Sequence, residues 1–514
     1  MKNKFIFSFL LIAVVLLACG LRLHGLTSQS LWVDELFSAD LILNRPVIPP
    51  AGTPWLQPLY LLNIGPNTSF WTMKAADQSP PLFELAGKLA TTVFGDSEAA
   101  LRLTSALASV ILLLWLGWRA WRSRNGPFGM VYLTVFVLTA FSGLQIFYAQ
   151  EVRAYALGTL FTGILAVLFW ERIMAGWHSA PLLGWGEIAL CIAACWTHYD
   201  ALLLAGLLMV PYAREGWYRK NWMALVRMGM VAVAAALWLA LSHRGFQLAL
   251  HGGAGWVPKM RFGAMLQLVF KNFAQFALGY GLTAWLAVLL LVAIVLSLYK
   301  PPRNIKIIAA GHNSLRIGLT STIAIGLTYM LLVSWMAYKS RIINVRHLIF
   351  ILPVVYLMAG LSLTLLWQRW RWFGWAALII MLPLQWPLIW FYMQPVKEDW
   401  RDASAFVTQR LHDGDLVLVS PMIDTEGASR YYLLRRSHKA LQLRVIRETD
   451  ASKVCSQIKA LPHFGLVGVG AWLPFADALA KNCGAGWQIE RTVVPNAFGQ
   501  VWVRLHSNTN PSPP

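Results

Sequence analysis

Charge is scarce in this sequence of 514 residues: 13% are Asp, Glu, Lys or Arg, and only 23 are acidic. Soluble domains, disordered chains and long coiled coils all need more charge than this, so all three are excluded. Cysteine is scarce too, with five in the chain, which rules out a small disulfide scaffold. The sequence has no internal repeat, no low-complexity tract and no Cys or His spacing of the zinc-binding kind. What fills it instead is apolar: 57% of residues are hydrophobic and the mean hydropathy is +0.54. Such a composition belongs to a polytopic α-helical membrane protein.

The 43 Lys and Arg give a net charge of +20 and a pI near 10.0, a balance that in a soluble chain would suggest nucleic acid. Here the bases lie in short loops between apolar runs, and no aromatic-interleaved basic domain stands apart, so no nucleic-acid partner is expected. The apolar runs predict about eleven spans on a twenty-residue criterion. They cover 5–23, 99–118, 127–146, 154–171, 184–197, 199–213, 223–241, 276–298, 317–337, 347–366 and 373–393, the short pair around 198 being broken or partly re-entrant. Lys2 and Lys4 before the first run and Arg22 behind it predict an uncleaved anchor. The bases at 119–124, 172, 214–220, 300–316 and 369–371 then share the cytoplasmic side with Lys2. Residues 24–98, 147–153, 242–275, 338–346 and everything after about 394 are left on the outer face of the membrane.

From Lys397 the pattern changes. Helical stretches alternate with the β-rich runs DLVLVS, LQLRVI, FGLVGVG, WQIERTVV and GQVWVRLH. They predict a small extracytoplasmic α/β domain over 396–507, after a transmembrane domain over 1–395 and before a frayed tail over 508–514. Cys19, Cys191 and Cys195 read as small apolar packers. Cys455 and Cys483 either pair, closing a loop of about 29 residues worth roughly 3 kcal/mol, or stay as free buried thiols.

Polar side chains at the outer rim of such a bundle are expensive, so those present are candidates for function. Asp34 and Glu35 follow the first span in SLWVDELFSAD, inside a long first loop, where they either start a helix or form a reactive carboxylate pair. In AADQSPPLFELAGKL, Pro80 and Pro81 open an amphipathic interfacial helix with Leu82, Leu85, Ala86 and Leu89 on one face. Asp77 before it either caps that helix or points back at the carboxylate pair, and Arg102 either snorkels or meets an anionic headgroup. FYAQEVRAYAL brings Gln150, Glu151, Arg153 and Tyr155 to membrane depth, and WTHYDALLL adds His198, Tyr199 and Asp200. Lys339, Arg341, Arg346 and His347 make an outer cluster of bases, which an anionic ligand would explain; Arg346 is the best single candidate for a phosphate clamp.

WxDE in the first loop, DxxPPL, FGxSExAxRLxS, YAQExRxYAL, THY, RHL before FILP and KxDWR occur in that order. In this the chain resembles the GT-C superfamily of glycosyltransferases, and within it the bacterial relatives of protein O-mannosyltransferases and lipid A aminoarabinose transferases grouped as glycosyltransferase family 39. The resemblance implies a GT-C membrane fold and transfer of a sugar from a polyprenyl-phosphate carrier to an acceptor hydroxyl outside the cytoplasmic membrane. It places the catalytic carboxylate at Asp34, with Glu35 beside it. Ser79 stands where many relatives have His before the Pro pair, and Arg346–His347 where RY is usual. The remaining candidates, Asp77, Arg102, Gln150, Glu151, Arg153, Tyr155, His198, Tyr199, Lys339, Arg341, Arg346 and His347, would bind substrate.

The chemistry fits these residue types directly. Direct attack on C1 needs a base for the acceptor proton and cations for the charge gathering on the leaving phosphate, and it inverts the anomeric centre. Arginines can neutralise a monophosphate, so no cofactor and no metal site is expected, with a divalent cation left open. The expected partners are a polyprenyl-phosphate sugar, membrane lipid, and a protein, lipid A or glycan acceptor. A polysaccharide polymerase or ligase using lipid diphosphates is the main alternative; a transporter fits less well, because the polar residues gather on one rim and no two halves match.

Overall fold

The structure is a computed structural model. It describes residues 2–43, 69–77, 79–126, 128–175, 183–243, 260–278, 311–340, 345–369, 372, 375–376, 379, 383–394, 396–419, 427–437, 439–445, 455, 458, 461, 463–469, 477, 479, 481–483, 489–492 and 501–507. Most of the predicted span 276–298, part of 373–393 and the tail 508–514 fall outside this set.

The chain forms two compact units, each discontinuous in sequence. One comprises Met1–His24, Lys74–Ala90 and Arg102–Tyr392; the other comprises Gly25–Met73, Thr91–Leu101 and Met393–Pro514. Along the chain run α1 (Lys2–Leu23), α2 (Val33–Ile42), α3 (Phe70–Ala76), α4 (Leu82–Phe94), α5 (Glu98–Ser123), α6 (Gly129–Ala140), α7 (Gly143–Ala149), α8 (Tyr155–Met174), α9 (Trp185–Cys195), α10 (Tyr199–Tyr218) and α11 (Trp222–Leu241). Helices Phe262–Leu278, Gly311–Ser340 and Leu352–Arg369 follow, the last preceded by a 3-10 turn, Val345–Ile351.

Among the described residues six helices are long and apolar enough to cross a membrane, or seven if the bent pair α6 and α7 is one span. α1 and α11 expose Phe9, Leu16, Val226 and Val233, an arrangement stable where lipid rather than water is the solvent. The predicted run 127–146 is divided: α6 and α7 meet at 57°, because Ser142 stops one helix and caps the next, its Oγ accepting from the Gln145 amide at 3.4 Å. Buried Arg22 secures the break, its guanidinium donating to the Thr139 and Ala140 carbonyls at 2.7 and 2.9 Å and to Ser109 Oγ at 2.7 Å. A guanidinium suits the carbonyl end of a helix. The run 184–197 yields only the 11-residue α9, while 242–275, expected as loop, contains much of the helix Phe262–Leu278.

α6 crosses Leu352–Arg369 at Gly360, where a Cβ would lie 2.9 Å from the Val131 carbonyl oxygen. Backbone cannot yield there as a side chain can. Gly360→Val is expected to lower stability by about 1–3 kcal/mol through overpacking, measured as a fall in the unfolding midpoint in detergent.

α4 is the predicted amphipathic helix, but Phe83, Glu84 and Gly87 form its buried face, while Leu89, Val93 and Phe94 are exposed. The apolar stripe faces outward because an interfacial helix buries it in lipid, not protein.

In the second unit the late segment folds into a five-stranded sheet of order β2-β1-β3-β5-β4. Its strands are β1 (Leu416–Val419), β2 (Gln442–Val445), β3 (His463–Val469), β4 (Ile489–Thr492) and β5 (Val501–Ser507), one from each β-rich run. β1 pairs in parallel with β2 and β3, and β5 antiparallel with β3 and β4. Val417, Leu418, Phe464, Leu466 and Val503 are fully buried in it. Cys455 and Cys483 are disulfide-bonded, while Cys191 and Cys195 are buried and Cys19 half-buried as free thiols.

Candidate active site

Each unit contains a polar centre. In the second, the WxDE segment begins α2: Trp32 is the N-cap, with Asp34 and Glu35 in the first turn, where the helix dipole favours negative charge. Asp34 is half-buried; Glu35 is fully buried, its Oε2 accepting from Lys397 Nζ at 2.9 Å and lying 3.5 Å from the Trp32 amide. The KxDWR motif supplies the socket. Gln29 Oε1 accepts the Val396 and Lys397 amides at 3.0 Å each, and Ser30 Oγ donates to Asp399 at 3.3 Å. Arg401 pairs with Glu98 and donates to the Thr27 carbonyl at 2.7 Å. Tyr432 donates to Glu98 at 2.5 Å and accepts the Leu31 amide at 2.7 Å. Two motifs at opposite ends of the sequence thus hold one helix start, and the roles of Lys397, Arg401 and Glu98 were not foreseen.

In the first unit four sequence motifs meet. Lys74, at the end of α3, is fully buried, with Nζ 2.5 Å from Asp77, 2.7 Å from Ser79 Oγ and 2.9 Å from Glu84. Burial opposes the Lys74 charge, but Asp77 and Glu84 outweigh it and hold its pKa above the ordinary value. Glu84 is raised by burial, against the pull of Lys74. Asp77 also receives the Ser79 hydroxyl at 2.6 Å, so Ser79 completes the network.

Arg153 and Arg346 both stand close to the Tyr155 ring, their guanidinium carbons 5.8 and 5.9 Å from its centroid. Burial opposes the Arg153 charge, yet Tyr155, Asp77 and Glu84 raise its pKa further. Ser105 fixes the backbone there by donating to the Arg153 carbonyl at 3.0 Å. The Tyr155 ring lies 5.3 Å from that of His198, which caps α10 by accepting the Asp200 amide at Nδ1, 3.1 Å away. Asp200, buried, lies 2.6 Å from His347 Nδ1 and 3.5 Å from His198 Nδ1. Burial, with help from His347, Arg153 and Lys74, pushes the His198 pKa down to about 4, leaving a neutral imidazole at neutral pH. Tyr199 is 3.3 Å from Ser242 through its hydroxyl.

The other candidates are placed as follows. Gln150 donates to the Leu21 and His24 carbonyls at 2.6 and 3.1 Å, holding the end of α1. Glu151 and Arg102 are buried, Lys339 is exposed at the end of its helix, and Arg341 lies outside the described residues. Lys74 and Glu84 are the functional candidates that sequence reasoning missed; an ionisable pair flanking DxxPPL was the available signal.

No protein-family model and no curated protein sequence matches the chain. Solved structures do. ArnT from Cupriavidus metallidurans in the apo state aligns with a TM-score of 0.56 at 14% identity, covering 97% of this chain and 97% of that one. ArnT from the same organism bound to undecaprenyl phosphate gives 0.54 at 13%, covering 99% of each chain. A match over nearly every residue at such low identity is a likeness of architecture, and by it the chain has the fold of those ArnT structures.

Proposed function

We propose that this protein is a membrane glycosyltransferase that takes a sugar from a polyprenyl-phosphate carrier and transfers it to an acceptor hydroxyl, with inversion. The observation that carries the reading is the placement of two guanidinium groups, Arg153 and Arg346, within 6 Å of one tyrosine ring, with Lys74 acting on the same His198 as Arg153. Planar guanidinium groups suit a phosphate monoester, gripping its oxygens bidentately as charge accumulates. The undecaprenyl phosphate in one ArnT structure supports the same class of donor.

In this mechanism Asp34 accepts the proton of the acceptor hydroxyl while that oxygen attacks C1 of the sugar. The C1–O bond to phosphate breaks, the bonding pair leaves with the lipid phosphate, and Arg153 and Arg346 hold the added negative charge. The carrier's chain stays in lipid. The site faces the extracytoplasmic side, with the amino terminus in the cytoplasm, as the distribution of loop bases supports.

The test is to incubate the purified protein with a panel of polyprenyl-phosphate sugars and follow consumption by mass spectrometry. One donor consumed with release of polyprenyl phosphate is expected; a requirement for lipid diphosphate would favour the polymerase or ligase reading instead. Arg346→Ala is expected to weaken donor use by about 1.5–3 kcal/mol, the range for hydrogen bonds to charged groups, read as a lowered kcat/KM. Unchanged kinetics would remove Arg346 from the phosphate clamp.

A further inference from the structure

The turn between α10 and α11 gathers charge of one sign. Residues 214–227 hold four bases, Arg214, Arg219, Lys220 and Arg227, and one acid, Glu215. Arg219 takes that acid, its Nε 2.5 Å from Oε1, while among the described residues Arg214, Lys220 and Arg227 meet no carboxylate. Aromatic rings frame them. Arg214 stands 5.3 Å from the Tyr218 ring, Arg227 stands 4.8 Å from the Trp185 ring at the start of α9, and Trp217 meets Trp222 edge to face at 6.1 Å. All four of those rings' tips, at Trp185, Trp217, Tyr218 and Trp222, are exposed. We propose that this patch binds an anionic phospholipid headgroup of the surrounding bilayer.

Depth, sign and backbone geometry each point to that ligand. Exposed tryptophans settle at the level of the headgroups, and Val226, Val233 and Leu237 of α11 face outward as lipid-covered side chains do. Arg227 starts about 7–8 Å further along the helix axis than Trp222. Helical side chains lean toward the amino end, so its guanidinium rises back to Trp185, where it donates to the Leu183 carbonyl at 2.6 Å. Guanidinium groups grip phosphate oxygens, whereas Glu215, held by Arg219, is not left to receive the ammonium of a zwitterionic headgroup. The dipole at the end of α10 favours Arg214 and Lys220 without any ligand, but Arg227 lies near the start of α11, where it does not. Lys220 is also the one non-glycine residue with positive φ among those described, at 52°. It follows α10 at the position glycine usually takes, the Asn221 amide donating to the Gly216 carbonyl at 2.8 Å and its own amide to Trp217 at 3.1 Å. A lysine there keeps a charge in the patch at a conformational cost.

The inference rests on this turn and not on the transfer reaction, so it is tested without donor or acceptor. Full-length protein in a nonionic detergent is mixed with equal amounts of phosphatidylglycerol and phosphatidylcholine, and bound lipid is read by native mass spectrometry. Phosphatidylglycerol is expected to be retained in preference. Its affinity should fall about fivefold in each of Arg214→Gln, Lys220→Gly and Arg227→Gln, the effect of one base at a membrane surface. Arg122→Gln, at an exposed arginine of α5, should leave it unchanged. Lys220→Gly should also keep or raise the unfolding midpoint, because glycine relieves the positive φ, so its weaker lipid binding would not reflect unfolding. Equal binding of both lipids, a preference unchanged in all three variants, or an equal loss in Arg122→Gln would overturn the site. If Arg227→Gln fails to fold, the double variant of Arg214→Gln with Lys220→Gly replaces it under the same criteria.

Discussion

Asp34→Asn is expected to lower the rate of sugar transfer by about 10²–10⁴, the range general-base catalysis contributes, while leaving donor binding and expression near normal. The substitution keeps the size and shape of the side chain and removes only its ability to take a proton. α2 does not depend on Asp34 for its start: Trp32 is the N-cap, and the tie to the rest of the unit is made by Glu35 and Lys397. A loss of activity in a protein with an unchanged unfolding midpoint would therefore report chemistry. Transfer at the normal rate would defeat the assignment of Asp34 as the base.

Lys397→Met is expected to destabilise the second unit by about 3–5 kcal/mol, the cost of leaving one buried charge without its partner. Both groups of the pair are nearly inaccessible, with side-chain exposures of 4% for Lys397 and 0% for Glu35, so water cannot take over the lost contact. Glu35→Gln should cost less, since its amide still hydrogen-bonds. The double replacement Lys397→Met with Glu35→Leu is expected to recover most of the loss, because buried ion pairs exchanged for packed apolar groups are often neutral. Chemical or thermal unfolding in detergent checks this series, and an unchanged midpoint in Lys397→Met would show the pair to be without energetic weight. Activity should fall as well, because the pair fixes the helix turn that carries Asp34.

The two substitutions separate the adjacent acids. In sequence they are equivalent, two carboxylates in one short motif. In the fold they differ in burial, and Glu35 is committed to Lys397. A rate effect at Asp34 with a stability effect at Glu35 would support that division.

Several structural features could be read without coordinates because their cause is local. A run of apolar residues is a helix in lipid whatever its neighbours, since its backbone must satisfy itself there. Pro80 and Pro81 open α4, and each β-rich run of the late segment became a strand. Reading failed where a local pattern had two outcomes. The run 127–146 is apolar throughout, yet a capping serine bends it by 57°.

Sequence alone determined that the chain is a polytopic membrane protein, where its polar motifs lie and that a small α/β segment follows, because composition and periodicity act over a few turns. Tertiary structure decided which motifs are partners. His347 meets Asp200 across 147 residues and Lys397 meets Glu35 across 362. Such contacts leave no periodic trace, since what joins them is the packing of helices and the cost of burying a charge or polar group without a companion.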